Sequence, residues 1–139
     1  MTINEIQQQI VEEFSVFDEW MDKYAYLIEL GKTLVPYDPA HKVEQNLIQG
    51  CQSRVWLDAE YSDGVVAFTA DSDAIITKGI VSLLVRVFSG QTPQAILDAK
   101  ITFIDQIGLQ QNLSPTRANG LNSMLKQIKL YALAFANVG

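Results

Sequence analysis

The chain has 139 residues, enough for one domain with its own hydrophobic core. Its formal net charge is -6, and its Lys and Arg residues form no cluster, which excludes a phosphate-binding nucleic-acid surface. One cysteine, Cys51, and one histidine, His41, exclude an internal disulfide and any zinc or iron–sulfur site built from several cysteines of this chain.

Two amphipathic helices are predicted at the start of the chain, over residues 5–17 and 18–30. Apolar residues recur at four-residue spacing in the first helix. Thr2 is the cap candidate of the first helix and Asp18 of the second, and Gly31 is placed to end the second. The pair forms either two packed helices or one bent helix.

A β-hairpin is the clearest strand signal. Residues 54–61 alternate between apolar and polar side chains, Ser-Asp-Gly at 62–64 is a good hairpin turn, and residues 65–70 supply the returning strand. Trp56 is the exception, since it falls on the polar face. Upstream of the hairpin, two prolines predict a loop over residues 35–42, followed by a short helical piece at 43–48.

The second half of the chain is predicted to be mainly helical. Asp, Ser and Asp at 71–73 are N-cap candidates for a mostly buried helix over 73–88, which Gly90 ends. Thr92 and Pro93 begin a short helix through Ala99. Residues 101–113 fit either a strand with a turn or a short helix. Ser-Pro at 114–115 starts the last helix, to about residue 135.

These elements predict an α+β fold with a single domain over residues 1–139. A small antiparallel sheet is covered by helices from both ends of the chain. The sequence shows no signal peptide and no apolar stretch long enough to span a bilayer, so we expect no membrane association and a cytoplasmic protein.

Cys51 lies where the irregular stretch meets the first strand, a place where reactive groups are often displayed. Gly50 removes a Cβ next to the thiol, and Ser53 offers a hydrogen bond to a thiolate or a persulfide. A lone cysteine is also commonly a small, buried, inert side chain. Spacing alone leaves both interpretations open.

The wider sequence resembles one family. Residues 46–56, with their Gly-Cys-Gln-Ser-x-Val-Trp core, resemble the active-site signature of the SufE family of sulfur-acceptor proteins. Further matching segments follow in the same order and at compatible spacing, from about Glu13 onward. They comprise residues 24–31, 70–74, 78–79, 89–93 and 113–121.

The resemblance implies a specific function. SufE-like and CsdE-like proteins accept persulfide sulfur from a PLP-dependent cysteine desulfurase of the SufS or CsdA type, stimulate it, and pass the sulfur toward an iron–sulfur scaffold or another acceptor. The family cysteine falls on Cys51. The fold would resemble the IscU-type scaffold without its extra cysteines, so the chain would carry sulfur and not build a cluster. No cofactor or metal of its own is implied.

The residues expected to support Cys51 or contact the desulfurase surround it in sequence or belong to the last helix. They are Gly50, Gln52, Ser53, Arg54 and Arg117. We also expect the thiol to be shielded by apolar material from Ile48, Val55, Trp56 and the helix over 73–88, because an exposed persulfide is easily lost.

Two other functions are open to this sequence. Cys51 and His41 could form the Cys–His pair of a thiol hydrolase or transferase. The chain could also be a non-catalytic interaction domain in which Cys51 is inert. The carrier interpretation makes the chain a partner and activator of a desulfurase more than a stand-alone enzyme.

Overall fold

The computed structural model describes residues 1–49 and 53–137, and in them it has an α+β architecture, as predicted. A two-stranded antiparallel sheet is surrounded by helices from both ends of the chain. The elements are α1 (Ile3–Phe14), α2 (Trp20–Gly31), β1 (Val55–Ser62), β2 (Val65–Ser72), α3 (Ile75–Phe88), α4 (Pro93–Asp98), α5 (Phe103–Gln106), α6 (Leu109–Asn112) and α7 (Pro115–Ala136), with 3₁₀ turns at Pro39–His41 and Glu44–Asn46.

Helix α1 begins with the predicted Thr2 cap. The Thr2 hydroxyl accepts a hydrogen bond from the Glu5 amide, and the Glu5 carboxylate accepts one from the Thr2 amide, which completes a capping box. The helix ends at Phe14, earlier than predicted. The chain then turns so that the Phe17 ring packs against Tyr26 of α2, with ring centroids 5.2 Å apart. Helices α1 and α2 are therefore two separate helices, connected by the contacts of Tyr26 with Phe14 and Glu13.

Helix α2 departs from its predicted ends for a packing reason. Its N-cap is Glu19, which makes no side-chain cap, and Gly31 is a helical residue and not the stop that the sequence predicts. Gly31 instead permits close contact with α3. A Cβ on Gly31 would lie 3.0 Å from the Gly79 nitrogen, and a Cβ on Gly79 would lie 2.2 Å from the Leu27 carbonyl oxygen.

The hairpin forms where the sequence predicts it, and its two-residue turn, Asp63 and Gly64, lies within the predicted turn at 62–64. Val55 pairs with Ser72 and Ser62 with Val65. Asp63 and Gly64 both have positive φ, at 54° and 81°, as a type I′ turn requires. The apolar face of the sheet packs against α3, the most buried helix of the described chain. This face is formed by Val55, Leu57, Val66, Phe68 and Ala70.

Both outer edges of the hairpin are hydrogen-bonded. Along β2, the Val66 N–H donates to the Gln91 carbonyl at 2.8 Å and the Phe68 N–H donates to the Ser89 hydroxyl at 2.9 Å. Along β1, the Leu57 carbonyl accepts from the Tyr131 hydroxyl at 3.4 Å. The turn after α3 and a side chain of α7 therefore occupy positions where further strands would pair.

The ambiguous stretch over residues 101–113 forms two short helices, α5 and α6. Gly108 connects them in the left-handed conformation, with φ of 79°. Gln7 of α1 fixes the start of α5, because its side-chain oxygen accepts hydrogen bonds from the Thr102 and Phe103 amides. Helix α7 begins at the predicted Ser114 cap. No helix in the described residues is both long and apolar enough to cross a membrane.

Candidate functional site

The predicted sulfur acceptor, Cys51, lies outside the described residues together with Gly50 and Gln52. These three residues link Gln49 to Ser53, so the two described flanks are their covalent neighbours. The candidate site is therefore built from the elements that hold those flanks.

The upstream flank is fixed against β1. The Ile48 N–H donates a hydrogen bond of 2.8 Å to the Val55 carbonyl, and Leu47 forms an antiparallel bridge with Trp56. Ile48 is buried, and its side chain lines a small apolar space under the sheet together with Val55 and Val81. Ile48 and Val55, which precede and follow the Cys51 segment in sequence, thus both belong to the hydrophobic core.

The downstream flank is fixed by the last residue of β2 and the residue that follows it. The Asp73 carboxylate accepts a hydrogen bond from the Arg54 N–H at 3.0 Å. The Arg54 carbonyl accepts hydrogen bonds from the Ser72 hydroxyl at 2.9 Å and from the Asp73 N–H at 3.2 Å. Arg54 is exposed, but its backbone is held on both sides.

This arrangement corrects the predicted cap of α3. Ala74 precedes the helix and no side chain caps it, although Asp71, Ser72 and Asp73 all have capping side chains. Ser72 is the last residue of β2, and Ser72 and Asp73 instead bond the backbone of Arg54. A tertiary contact thus replaces the local one that the sequence favours.

Two of the predicted site residues, Ser53 and Arg117, line the same small pocket. It has a volume of about 20 Å³, room for about one water molecule. Thr77 and Ile80 of α3 and Thr116, Gly120 and Met124 of α7 complete its lining. The pocket therefore brings the downstream flank of Cys51 next to the start of α7. Ser53 and Arg117 are 64 residues apart in sequence.

Arg117 has a free guanidinium among the described residues, where it forms no ion pair. Its backbone N–H donates to the Ser114 cap at 3.3 Å. The side chain is exposed and borders the pocket beside Ser53. A cation in this position is available to an anionic group at the Cys51 segment or on a partner.

The polar face of the hairpin carries a charged cluster that was not predicted from the sequence. Asp71 accepts from Lys42 at 2.9 Å and from Lys78 at 3.3 Å, and the Lys42 ammonium lies 4.9 Å from the Trp56 ring centroid. Burial alone raises the pKa of Asp71, but hydrogen bonds from Lys42, the Ser72 amide and Lys78 outweigh it and hold the pKa below its usual value. The feature of the sequence that could have indicated this cluster is Trp56, whose side chain falls on the polar face of the hairpin.

Trp56 therefore does not share the apolar space under the sheet. Ile48 and Val55 line that space with residues of α3, whereas Trp56 lies on the other face of β1 beneath Lys42. Ile80 and Met124 line the pocket beside Ser53. The predicted shielding of the thiol involves Cys51, which lies outside the described residues.

His41 is held by carboxylates. Its Nδ1 lies 2.8 Å from Asp58 and its Nε2 lies 3.8 Å from Asp38. Asp58 is three residues beyond Val55 on β1, about 10 Å along the strand at the usual rise. The predicted Cys–His pair involves Cys51, which lies outside the described residues, so that alternative stays a prediction. The described residues also contain no group of three or more His, Cys, Asp or Glu side chains that could hold a metal ion.

Comparison with known proteins gives a consistent match. The model of the SufE, Fe-S metabolism associated domain, matches residues 8–132. An uncharacterized SufE-like protein of Rhizobium meliloti is 42% identical, over 87% of this chain and 90% of its own. An uncharacterized SufE-like protein of Synechocystis is 39% identical, over 91% of this chain and 80% of its own.

The fold is also found in a solved structure. The solution structure of a hypothetical protein from Thermus thermophilus superposes with a TM-score of 0.75 and covers 93% of this chain and 94% of its own. The two sequences are 23% identical, so this likeness concerns the fold alone.

Proposed function

Because this chain belongs to the SufE family, whose domain is associated with Fe–S metabolism, we propose that it takes persulfide sulfur onto Cys51 from a PLP-dependent cysteine desulfurase. It stimulates the desulfurase by removing sulfur from it and delivers the sulfur toward iron–sulfur cluster assembly. The proposed donor is a desulfurase of the SufS or CsdA type, and the proposed recipient is an iron–sulfur scaffold or another acceptor.

One observation carries the proposal. The only cysteine of the chain lies, in sequence, between Ile48 and Arg54, whose backbones are both hydrogen-bonded to the folded domain. Ile48 is fixed by its hydrogen bond to Val55, and Arg54 is fixed by its hydrogen bonds with Ser72 and Asp73. Reactive groups are often displayed between elements that a rigid scaffold anchors in this way, where a partner protein can reach them.

The chemistry is a displacement at sulfur, analogous to thiol–disulfide exchange. The Cys51 thiolate attacks the outer sulfur of the desulfurase persulfide, a new S–S bond forms on Cys51, and the desulfurase cysteine leaves as a thiolate. No net oxidation occurs, and no metal or second cysteine is required. Since this chain has no second cysteine, it cannot discharge its own persulfide as an internal disulfide.

The proposed contact surface is centred on the Cys51 link. Transfer requires the two reacting sulfurs to approach to about 3–3.5 Å, so the desulfurase must cover Gly50, Gln52 and the adjoining flank. Ser53 and Arg117 support this surface because they line one pocket, and the Arg117 guanidinium is available to an anionic partner group. Arg54 supports it through its exposed side chain.

The first test is Cys51→Ser. We expect this variant to fold normally, to gain no mass of about 32 Da on incubation with a desulfurase and cysteine, and to leave desulfurase turnover unstimulated. The wild-type chain should gain that mass and stimulate turnover. Stimulation by Cys51→Ser equal to that of the wild type would refute the proposal.

A matched control tests whether a thiol must be at position 51 or whether any thiol on the chain stimulates the desulfurase. The double variant Cys51→Ser/Ser62→Cys again has one thiol, placed on an exposed residue at the far end of β1. We expect this variant not to stimulate the desulfurase. His41→Ala addresses the alternative, because a Cys–His hydrolase would lose activity on this change and a sulfur carrier would keep it.

A further inference from the structure

An apolar groove of about 530 Å³ lies between the C-terminal half of α7 and the segment that ends α4. Leu130 and Leu133 line it and remain 47% and 48% exposed. The other lining residues are Leu97, Ala99, Ile101, Leu125, Lys126 and Lys129. Single exposed leucines need no explanation, but two that share a groove with four further apolar side chains form a continuous apolar surface.

The charge at the groove has the opposite sign to that of the chain. Its charged lining residues are two lysines, whereas the chain as a whole carries -6. The Lys129 ammonium donates to the Leu97 and Ala99 carbonyls at 3.2 and 2.8 Å, which fixes a positive charge at the groove wall. Lys126 is exposed and forms no ion pair within the described residues. Acidic side chains would complement this lining.

The groove suits a helix better than an extended peptide. The backbone carbonyls of Leu97, Ala99 and Lys100 already accept hydrogen bonds from Lys129 and Gln7, so an added strand would find those acceptors occupied. Along α7 the lining runs from Leu125 to Leu133, about 12 Å at 1.5 Å per residue. That length accommodates two turns of a helix with apolar anchors at i, i+3 or i+4, and i+7.

The groove lies away from the pocket that joins Ser53 to Arg117. At 3.6 residues per turn, positions 126, 130 and 133 of α7 lie on the side roughly opposite positions 117, 120 and 124. Leu130 is also about 20 Å further along the helix axis than Arg117. A molecule in the groove therefore leaves the flanks of the Cys51 link uncovered.

We propose that this groove is a docking site for an acidic amphipathic helix of a partner protein. Leucine-type side chains of the helix fill the apolar floor, and its carboxylates pair with Lys126 and Lys129. The inference goes beyond the sulfur-acceptor function and does not rest on it, because no step involves Cys51.

The test uses the full chain carrying Cys51→Ser, so that binding is measured independently of sulfur acceptance. The probe is a fluorescein-labelled helical peptide with leucines at i, i+3, i+4 and i+7 and glutamates beside them, followed by fluorescence anisotropy. A matched peptide keeps the leucines and replaces each glutamate with lysine. We expect saturable binding of the acidic peptide, and binding at least about tenfold weaker for the lysine peptide, consistent with charge-selected recognition.

Three variants locate the binding. Leu130→Asp should weaken binding of the acidic peptide at least about tenfold, because it places a carboxylate on the groove floor. Lys126→Glu should weaken that binding several-fold. Val16→Asp, at an exposed apolar residue that does not line the groove, should change nothing. Hydrogen exchange is also measured on the chain whose groove residues are unsubstituted. The peptide should protect residues 97–101 and 125–133 from exchange, and this measurement does not depend on the folding of any groove variant.

Three results would overturn the proposal. The acidic peptide does not bind, the two peptides bind equally well, or the folded Leu130→Asp variant binds the acidic peptide as tightly as the chain with Leu130. A dimer in sedimentation that Leu130→Asp dissolves would assign the groove to a second copy of this chain and would equally reject a partner helix.

Discussion

At the scale of single residues, the strongest charge cluster outside the candidate site joins α1, α2 and α3. Arg86 donates two hydrogen bonds to the Glu13 carboxylate, one of them at 2.9 Å, and the Tyr26 hydroxyl donates to the same carboxylate at 2.6 Å. The Arg86 hydrogen bond lowers the pKa of Glu13 from its usual 4.5. Burial and the neighbouring Glu13 raise the pKa of Tyr26 to about 12.

This cluster predicts a pH-dependent contribution to stability. Because folding lowers the pKa of Glu13, its contribution is complete above the unfolded pKa and disappears as pH falls through the folded pKa. Glu13→Gln should therefore lower the free energy of unfolding by about 1 kcal/mol at pH 7, a value reduced for partial exposure, and by progressively less below pH of about 4.5. Urea unfolding at several pH values measures this.

The exposed pair of Glu29 and Lys32 is the matched control. Its side chains are 67% and 68% exposed, so Glu29→Gln should change stability little at any pH. Equal effects of the two substitutions at pH 7 would show that the Glu13 cluster has no special role.

Ser72 provides a second prediction at this scale. Its hydroxyl donates to the Arg54 carbonyl and accepts from the Ala74 amide, so it ties the downstream flank of Cys51 to the end of β2. Ser72→Ala should loosen that flank and raise the rate of Cys51 alkylation by iodoacetamide several-fold, if the free thiol is shielded as the sequence predicts. Ser62→Ala, at the far end of β1, should leave the rate unchanged. An unaltered rate in folded Ser72→Ala would contradict the shielding.

At the scale of secondary-structure elements, the contact between α2 and α3 depends on Gly79. An alanine there would place its Cβ 2.2 Å from the Leu27 carbonyl oxygen and 2.7 Å from the carbonyl carbon, both backbone atoms that cannot rotate away. Alanine favours a helix interior by about 1 kcal/mol, but overpacking costs about 1–3 kcal/mol or more.

Gly79→Ala should therefore destabilise the protein by at least about 2 kcal/mol in denaturant unfolding, because the clash outweighs the gain in helix propensity. Gly31→Ala is the graded comparison. Its Cβ would meet the Gly79 nitrogen at 3.0 Å, a contact that a small shift relieves, so its loss should be smaller. A stabilised Gly79→Ala would mean that the two helices move apart freely.

The same elements show what the sequence could predict. The hairpin followed from two-residue alternation and the Asp-Gly turn, and the Thr2, Thr92 and Ser114 caps followed from local patterns, so all of these depend on short stretches of sequence. The roles of Gly31 and of residues 71–73 could not be predicted, because each is decided by a contact with a distant segment: α3 in one case, Arg54 in the other.

The candidate site divides in the same way. The residue pattern alone left the role of Cys51 open, and the family resemblance indicated Cys51 as the sulfur acceptor; the roles of Cys51, its neighbours and Arg117 stay predictions. The meeting of Ser53 with Arg117 depends on how α7 packs beside α3, which no local pattern encodes. The Lys42–Asp71–Lys78 cluster likewise joins a loop, a strand and a helix.

At the scale of the whole molecule, the single domain predicted over residues 1–139 can be tested with the two tryptophans. Trp20 lies on α2 against Tyr24, and Trp56 lies on β1 beneath Lys42, so they report on different parts of the fold. In Trp20→Phe and Trp56→Phe, the remaining tryptophan should show the same unfolding midpoint as far-ultraviolet circular dichroism of that variant. Separate midpoints within one variant would indicate two independently folding units.

The hydrogen bonds along the hairpin edges have a consequence for behaviour at high concentration. An unpaired strand edge is a template on which other chains add to form cross-β fibrils. Here Gln91 and Ser89 cover amides of β2, while Ile48 and Tyr131 cover carbonyls of β1. These positions are therefore closed to pairing with another chain, and growth of a fibril from them would require the turn after α3 and the Tyr131 side chain of α7 to detach first.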